Sequence, residues 1–349
     1  MPLELIITQP GTVAYREYSI QDVGPHEVRI RVEHGSIKHG TELTRFLGKG
    51  PYATSAWSQG EKIFTPRTHK EYLDWAFPVG VGNTVIGHVI EVGAEVRRFR
   101  VGDQVFCAGH LQEIATVLDT KCQHLPPGSS WQTAACLDPA EFALAAVRDS
   151  RVRLGDVAVV FGLGALGLCI IGFACRQGAS KVYGVDPNAK KRDAALMVGA
   201  SRAFAPGDTD LSLEVRRLTK SRGADVSFEA SGSYAALHEA IRVVGVGATV
   251  VSASAYRDEC QGGLMLGAEF HLNRPTLVSS RASTEPNRDC PLWDHARTRQ
   301  VAWEMLLEGN IPCVEIVQPV IPFKAAGEAF AHLGLKGTGD SVKLGVMFT

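Results

Sequence analysis

The most constraining feature of the sequence is a glycine-rich turn between an apolar strand and a helix. The predicted strand Val157–Phe161 runs directly into the segment G-L-G-A-L-G. Gly162 permits a tight turn, Gly164 lets a ligand approach the backbone, and Gly167 lets the helix pack closely against the strand. The first helical turn, which includes Leu166, presents N–H groups and the positive end of the helix dipole. The pattern predicts a binding site for a pyrophosphate.

A second predicted strand, Lys181–Val185, ends at an acidic residue. Asp186 stands where a carboxylate can hydrogen-bond the hydroxyls of an adenosine ribose. The same carboxylate would repel a 2′-phosphate, so NAD is favoured over NADP. An ordinary strand–turn–helix with incidental glycines is the alternative, but it leaves the spacing and the acid unexplained.

Length and composition favour two packed domains and a small-molecule partner. The chain has 349 residues, of which 45% are apolar, enough for two cores. Its net charge is −1 with both signs interspersed, which argues against nucleic acid or an anionic membrane as the partner.

The cysteine pattern and the N-terminal residues predict a cytoplasmic protein. The eight cysteines form no CxxC pair, so reduced thiols are the simplest interpretation. No basic segment followed by an apolar stretch opens the sequence, so we expect no secretory signal. Val157–Cys175 lacks charge over a nearly membrane-spanning length. A buried strand followed by a buried helix explains this run better, because it is interrupted by glycines.

Hydrophobic periodicity changes along the chain. Glu27–Glu33 alternates strictly, which indicates a strand with one solvated face, whereas strand and helix patterns alternate after about Trp131. Such alternation predicts a parallel sheet covered on both faces. The last part returns to strand-like pieces, Ile316–Pro319 and Val342–Phe348, and we expect them to complete the β-rich domain.

The whole chain resembles the medium-chain dehydrogenase/reductase superfamily, the alcohol-dehydrogenase-like proteins. Besides the glycine-rich turn and Asp186, the segments that carry the resemblance are Gly40–Leu43, Gly87–Gly93, Val101–Val105, Arg153–Asp156 and Glu229–Gly232. The resemblance implies an α/β protein: a Rossmann domain with a doubly wound parallel sheet, plus a GroES-like, β-rich catalytic domain. We predict the catalytic domain at residues 1–133, the Rossmann domain at 134–310 and a C-terminal return at 311–349. The resemblance also implies a homodimer and an active site in the cleft between the domains.

The zinc ligands of many such proteins are not matched completely. Where the first ligand is usually cysteine this chain has His39, and the Gly-His-Glu motif that carries the second reads Gly82-Asn83-Thr84. Asp138 matches the carboxylate form of the third ligand. We therefore predict no catalytic metal. The alternative, that His39 and Asp138 hold zinc with Glu42, Glu61 or His69, stays open. The other interpretation of Asp138 is a capping carboxylate before a helix that starts at Pro139.

The resemblance also suggests which residues move the proton and bind the cofactor. Thr41 matches a hydroxyl that contacts the substrate oxygen, and His39 is the favoured acid/base, with Lys38 as an alternative. A structural role for His39 is equally compatible with the sequence. Further cofactor contacts are expected from Lys191, Ala230 and Ser231, although Lys191 could instead be a solvated helix charge.

The stretch between Gly48 and Val79 is longer than in zinc-bearing relatives and rich in aromatic residues. It contains Tyr52, Trp57, Phe64, Tyr72, Trp75 and Phe77. Aromatic faces suit sugars, cyclitols or planar rings, and nearby cations suit an acidic group. A dimer contact or a local core is the alternative. The combination of an incomplete zinc-ligand set and an aromatic insertion is most similar to one branch of the superfamily. That branch lacks the standard zinc ligands and includes the hydroxyethyl-bacteriochlorophyllide dehydrogenases.

Three functions follow from these patterns. The first is an NAD-dependent dehydrogenase that interconverts a secondary alcohol and a ketone on a sugar-, cyclitol- or ring-bearing substrate, without catalytic zinc. The second is a zinc-free enoyl or quinone reductase that uses NAD(P)H. The third is a dinucleotide-binding protein without catalytic activity.

Overall fold

The fold was analysed in a computed structural model that describes residues 1–256 and 264–348. The strands in chain order are β1 (Leu3–Gln9), β2 (Thr12–Glu17), β3 (Glu27–Ser36), β4 (Ser55–Trp57), β5 (Phe64–Pro66), β6 (Val79–Gly80), β7 (Thr84–Val92), β8 (Gln104–Cys107), β9 (Ile114–Leu118), β10 (Cys122–His124), β11 (Val157–Phe161), β12 (Lys181–Val185), β13 (Arg202–Phe204), β14 (Ala224–Glu229), β15 (Val244–Ser252), β16 (Thr276–Ser279), β17 (Val320–Pro322) and β18 (Gly345–Met347). The α-helices are α1 (His39–Phe46), α2 (His69–Ala76), α3 (Trp131–Ala135), α4 (Leu137–Ser150), α5 (Ala165–Gln177), α6 (Ala189–Val198), α7 (Leu211–Leu218), α8 (Tyr234–Val243), α9 (His271–Asn273), α10 (His295–Leu307), α11 (Cys313–Ile316) and α12 (Phe323–Lys336).

The chain divides into two units. The β-rich unit comprises Met1–Ala135 and the chain from Val317 onward, and the parallel-sheet unit comprises Cys136–Ile316. These boundaries differ by a few residues from those predicted after 133 and 310, because α3 packs on β3 and β7 of the β-rich unit and α11 ends the parallel-sheet unit.

The parallel-sheet unit is a doubly wound sheet. Its strand order is β13-β12-β11-β14-β15-β16, and every neighbouring pair is parallel. The order reverses at β11, and in such sheets ligands bind outside the carboxyl ends of the strands at the point of reversal. All five residues of β11 are buried, as expected for a central strand covered on both faces. The predicted α/β class with a Rossmann sheet is confirmed.

The β-rich unit is built mainly from antiparallel strands, and the C-terminal segment adds β18, antiparallel to β3, and β17, parallel to β18. The larger sheet has the order β10-β8-β7-β3-β18-β17, with β9 also paired to β3, and the smaller sheet is β2-β1-β6. Its core includes α1 and α12, which place Phe46 and Phe330 in edge-to-face contact with ring centroids 5.3 Å apart. Strand β18 pairs with β3, so the C-terminal segment forms part of this unit.

One expectation for the C-terminal part was wrong, and one helix was not predicted. The predicted strand Ile316–Pro319 is absent, since Ile316 ends α11 and the strand forms at β17 instead. Pro319 has no N–H to donate to a neighbouring strand, which explains why pairing begins after it. Helix α12 was not predicted at all, although its buried residues recur at helical spacing.

The remaining observations concern the thiols and the long uncharged run. Each cysteine within the described residues is a free thiol, and Cys260 lies outside them. The uncharged run forms strand β11 and helix α5. In residues 1–256 and 264–348, none of the helices has the length and apolar character needed to cross a bilayer.

Candidate functional site

The glycine-rich turn has the geometry that a pyrophosphate site needs. Gly162 has φ +87°, a left-handed conformation that glycine adopts without strain. A Cβ on Gly167 would lie 1.9 Å from the carbonyl oxygen of Gly162, so only glycine allows α5 to approach β11 this closely. Gly164 precedes the first residue of α5, and no atom lies within 4 Å of the position its Cβ would take. The backbone at Gly164 is therefore open to a ligand, and Leu166 lies in the first turn that follows.

Asp186 is held rigidly at the end of β12. Asp186 is only 8% exposed, and its Oδ2 accepts a hydrogen bond from the N–H of Leu163 at 2.9 Å. Oδ1 accepts the N–H of Asn188 at 2.8 Å. The Arg192 guanidinium donates to the carbonyl oxygens of Asp186 and Pro187, both at 2.8 Å. The carboxylate thus connects the glycine-rich turn to the start of α6.

Lys191 lies in the first turn of α6 and is 8% exposed. Its backbone N–H donates to the side chain of Asn188, the residue that caps this helix, at 3.1 Å. The alternative of a solvated helix charge does not agree with this burial.

The turn after β14 lies against the glycine-rich turn. The N–H of Ala230 donates to the carbonyl oxygen of Phe161 at 2.8 Å, and a Cβ on Gly162 would lie 2.7 Å from the Cβ of Ser231. The structure therefore brings Ala230 and Ser231 to the same end of the sheet as Gly162, at the carboxyl ends of β11 and β14.

Glu229 is a fully buried carboxylate that we did not predict as a site residue. Oε1 accepts the N–H of Ser231 at 2.7 Å and that of Gly232 at 3.0 Å, and the Ser231 hydroxyl also donates to it. Burial raises the pKa of Tyr256, and the neighbouring charge of Glu229 adds to the effect. The sequence feature that could have identified Glu229 is its position at the carboxyl end of a strand next to β11. Its contacts assign it to holding the turn.

In the β-rich unit, the three predicted catalytic residues lie at the start of α1. Lys38 caps the helix in an extended conformation, His39 is the first helical residue, and Thr41 is exposed in the first turn. Glu42 accepts the N–H of Lys38 and the N–H of Gly82, each at 2.6 Å. The carboxylate of Glu42 therefore holds the start of α1 and connects it to the loop before β7.

The ring of His39 contacts the C-terminal segment. Nε2 accepts the N–H of Leu344 at 3.2 Å, so the bond assigns the lone pair to Nε2 and the proton of the neutral ring to Nδ1. Protonation at Nε2 would place two N–H groups against each other. In this arrangement Nε2 can take up a proton only if its bond to Leu344 opens.

The residue at the position of the second zinc ligand is the amide Asn83. Asn83 directs Oδ1 towards the hydroxyl of Ser36 at 3.3 Å and the ammonium group of Lys343 at 3.4 Å, while its Nδ2 is buried without a partner among the described residues. An amide is a poor zinc ligand, and an ammonium group beside it repels a dication. Thr84 is a buried residue that begins β7.

The other candidate ligands do not complete a metal site. Glu42 accepts hydrogen bonds from two backbone N–H groups, and Glu61 accepts one from the hydroxyl of Ser58. The ring centroids of His69 and Tyr72 lie 6.4 Å apart. Across residues 1–256 and 264–348 we find no group of three His, Cys, Asp or Glu side chains placed to hold a metal ion.

The capping role considered for Asp138 was wrong. Helix α4 starts at Leu137, and Cys136 occupies the capping position. Asp138 lies inside the first turn, where its charge suits the positive end of the helix dipole.

The segment between Gly48 and Val79 folds into a lobe with exposed rings, which we call the aromatic lobe. It contains the hairpin β4–β5 and helix α2, with ring centroids 5.1 Å apart for Tyr52 and Phe64, 5.2 Å for Trp57 and Phe64, and 5.7 Å for Tyr52 and Trp75. The Arg67 guanidinium lies 4.4 Å from the centre of the Trp75 ring. Trp75 is 55% exposed and Phe64 40%. The rings thus form a contiguous apolar surface beside a cation.

The aromatic lobe is attached to the end of α1. The N–H of Lys49 donates to the carbonyl oxygen of Thr44 at 3.1 Å, and the N–H of Gly48 donates to that of Arg45 at 2.9 Å. With a rise of about 1.5 Å per residue, α1 ends about 10 Å along its axis from His39, and the lobe begins just beyond that end.

Comparisons with known proteins agree with this architecture. Residues 24–181 match the model of the alcohol dehydrogenase GroES-like domain, and residues 165–294 match that of the zinc-binding dehydrogenases. The chain is 39% identical over 349 residues to D-guloside 3-dehydrogenase of Escherichia coli strain K12, covering 99% of each chain. It is 28% identical over 278 residues to (R,R)-butanediol dehydrogenase of Bacillus subtilis, covering 71% of this chain and 74% of that one.

Solved structures show the same fold. The 2R,3R-butanediol dehydrogenase of Bacillus subtilis superposes with a TM-score of 0.75 at 22% identity, and galactitol-1-phosphate dehydrogenase of Escherichia coli with 0.76 at 16% identity. Each comparison covers 99% of both chains. The full-length identity to a dehydrogenase, the two matching domain models and the strand order together establish that the chain belongs to the medium-chain dehydrogenase/reductase superfamily.

Proposed function

We propose that the chain oxidises a secondary hydroxyl on the ring of a sugar or glycoside to a ketone, with NAD as the oxidant and without catalytic zinc. The aromatic lobe carries this proposal, because it places exposed rings directly after the helix that begins with His39 and Thr41. The C–H faces of a pyranose stack on aromatic rings, whereas a small acyclic alcohol would gain little from them. The name of the E. coli relative, D-guloside 3-dehydrogenase, supports a glycoside as the substrate class.

The cations around the aromatic lobe extend the proposed substrate range. Arg67 lies over the ring of Trp75. Burial raises the pKa of Tyr72, and the positive charges of Arg45 and Arg67 oppose this shift. A glycoside that carries an acidic group would find a complementary charge here. We therefore include uronic acids and acidic glycosides in the proposed substrate class.

The proposed cofactor is NAD because of the fixed carboxylate at the end of β12. Both oxygens of Asp186 are bonded to backbone N–H groups, so the charge cannot turn away from an incoming 2′-phosphate. Arg192, which would attract such a phosphate, donates to two backbone carbonyl oxygens. When bound, the nicotinamide supplies the acceptor for the hydride.

The proton of the substrate hydroxyl must be accepted by a residue of this chain. As the C–H bond of the carbinol carbon breaks and the hydride leaves, the O–H proton passes to a base and the C=O bond forms. We propose that Thr41 hydrogen-bonds this oxygen and that His39 accepts the proton, with Lys38 as the alternative acceptor. For His39 this requires the bond from Leu344 to open first.

The proposal is tested by assays of the purified protein on a substrate panel. Methyl and aryl glycosides, uronic acids, polyols and butane-2,3-diol are offered with NAD and with NADP, and the ketone position is read by NMR. His39→Gln and Thr41→Val should each lower kcat by about 10²–10⁴-fold, the usual contribution of a positioned acid or base. Turnover confined to NADPH with α,β-unsaturated ketones or quinones would overturn the proposal. Metal analysis accompanies the assays, and one zinc per chain that tracks activity would overturn its zinc-free part.

A further inference from the structure

Lys343 is a buried cation that the sequence did not single out. It lies two residues before β18 and is 3% exposed. Its Nζ donates to the carbonyl oxygen of Ile37 at 3.0 Å and lies 3.4 Å from Oδ1 of Asn83. Burying an ammonium group is costly unless such contacts compensate for the lost water. The two oxygens that face Nζ of Lys343 provide part of this compensation.

Residues 343 and 344 hold the segment that leads into α1 at three points. Lys343 donates to the carbonyl oxygen of Ile37, the carbonyl oxygen of Leu344 accepts the N–H of Ile37 at 3.1 Å, and the N–H of Leu344 donates to Nε2 of His39. The backbone before α1 and the His39 ring are therefore fixed by the same two residues.

Lys343 also determines how the amide of Asn83 is oriented. An ammonium group has only donors, so the oxygen of the amide must face it and the nitrogen must face away. Asn83 is joined to the same segment by a bond from its N–H to the carbonyl oxygen of Ser36 at 3.0 Å. The side chain of Lys343 thus connects two loops whose counterparts carry metal ligands in the zinc-bearing relatives.

We infer that Lys343 is a positioning residue for the proposed reaction, which fixes the segment 37–39 and the Asn83 amide in a site whose donors do not fit zinc. The inference rests on the proposed function for its kinetic consequences, but its structural part concerns only the β-rich unit. Lys343 acts on the reaction through His39 and Asn83 and is not assigned a contact with the substrate.

The kinetic test compares Lys343→Met with Lys343→Arg and with a control, Lys336→Met, at an exposed residue that ends α12. Lys343→Met should lower kcat about 100-fold, as expected for a misplaced proton acceptor, while KM and the Kd of NADH change less than about threefold. Lys343→Arg keeps the charge and the donors, so its kcat should lie within about tenfold of the wild-type value. Lys336→Met should have no effect. Asn83→Ala should add little to Lys343→Met, because the two residues act as one unit.

A second readout does not depend on activity. In ¹⁵N-histidine spectra the His39 signals, assigned with His39→Gln, should show the lone pair at Nε2, and Lys343→Met should shift them while Lys336→Met does not. A Lys343→Met protein with wild-type kcat and unchanged His39 signals would overturn the inference. If no sugar is oxidised, the proposed function fails while the His39 signals still decide the inference. If Lys343→Met does not fold, Lys343→Arg and Asn83→Ala provide the same comparison.

Discussion

The carboxylate of Asp186 and the N–H of Leu163 are joined by a hydrogen bond of 2.9 Å. Asp186 was predicted to bind a ribose, yet it also fixes the first residue after Gly162. Asp186→Asn keeps an acceptor for Leu163 but removes the charge and the acceptor for Asn188. We expect NADH affinity to fall about tenfold, the value of one charge-assisted hydrogen bond, and NADPH affinity to be unchanged or higher. Fluorescence titration of both cofactors measures this, and an unchanged ratio of the two Kd values would contradict the electrostatic basis of NAD preference.

Gly164 and Gly167 provide a matched pair that separates binding from packing. A Cβ at Gly167 would meet the carbonyl oxygen of Gly162 at 1.9 Å, whereas a Cβ at Gly164 meets nothing within 4 Å. Gly167→Ala should lower the free energy of unfolding by about 1–3 kcal/mol, the usual cost of overpacking. Gly164→Ala should keep the stability and weaken NADH binding, because the methyl group blocks the pyrophosphate. Equal losses of Tm in both variants would disprove this division of roles.

The aromatic lobe is tested through the shape of the substrate. Trp75 is 55% exposed even though its ring contacts Tyr52 and the Arg67 guanidinium, so part of the indole is available to a sugar ring. Trp75→Leu should raise KM for glycosides about tenfold, the worth of one stacking contact, and leave kcat nearly unchanged. Butane-2,3-diol is the internal control, since it has no ring to stack. A uniform loss on both substrates would assign the lobe to local stability instead.

Much of the parallel-sheet unit could be predicted because its signals are local. The strand, the three glycines and Asp186 lie within a short stretch, and each has a backbone requirement that few residues meet. The burial of Lys191 results from packing around α6. It could not be predicted from the sequence of this helix, because neighbouring charged residues make Lys191 look like part of a solvated face.

The residues around the proposed proton acceptor His39 in the β-rich unit were predicted less completely, because their contacts join distant parts of the chain. Lys343 reaches Asn83 and Ile37 across 260 and 306 residues. No periodicity links these positions, and a lysine in a predicted strand ordinarily points to solvent. Likewise, the bond from Leu344 to His39 could not be foreseen, although it decides which nitrogen of the ring carries the proton.

His34 makes the stability of the β-rich unit depend on pH. Its ring stacks on Trp131, with centroids 4.6 Å apart and planes 15° apart, and its Nδ1 is buried without a partner among the described residues. Burial lowers the pKa of His34 below its ordinary value, and the charge of Glu33 opposes this only in part.

The sign of the pH effect follows from proton binding. Below about pH 6.5 the unfolded chain takes up a proton on His34 that the folded chain resists, so the stabilisation present above that pH is lost as the pH falls. His34→Phe keeps a ring on Trp131 and cannot be protonated. We expect its Tm to decline less between pH 7 and pH 5 than that of the wild type, measured by circular dichroism. His26→Gln, at an exposed loop residue, controls for the loss of an imidazole, and a wild-type slope in His34→Phe would exclude His34 as a source of the pH dependence.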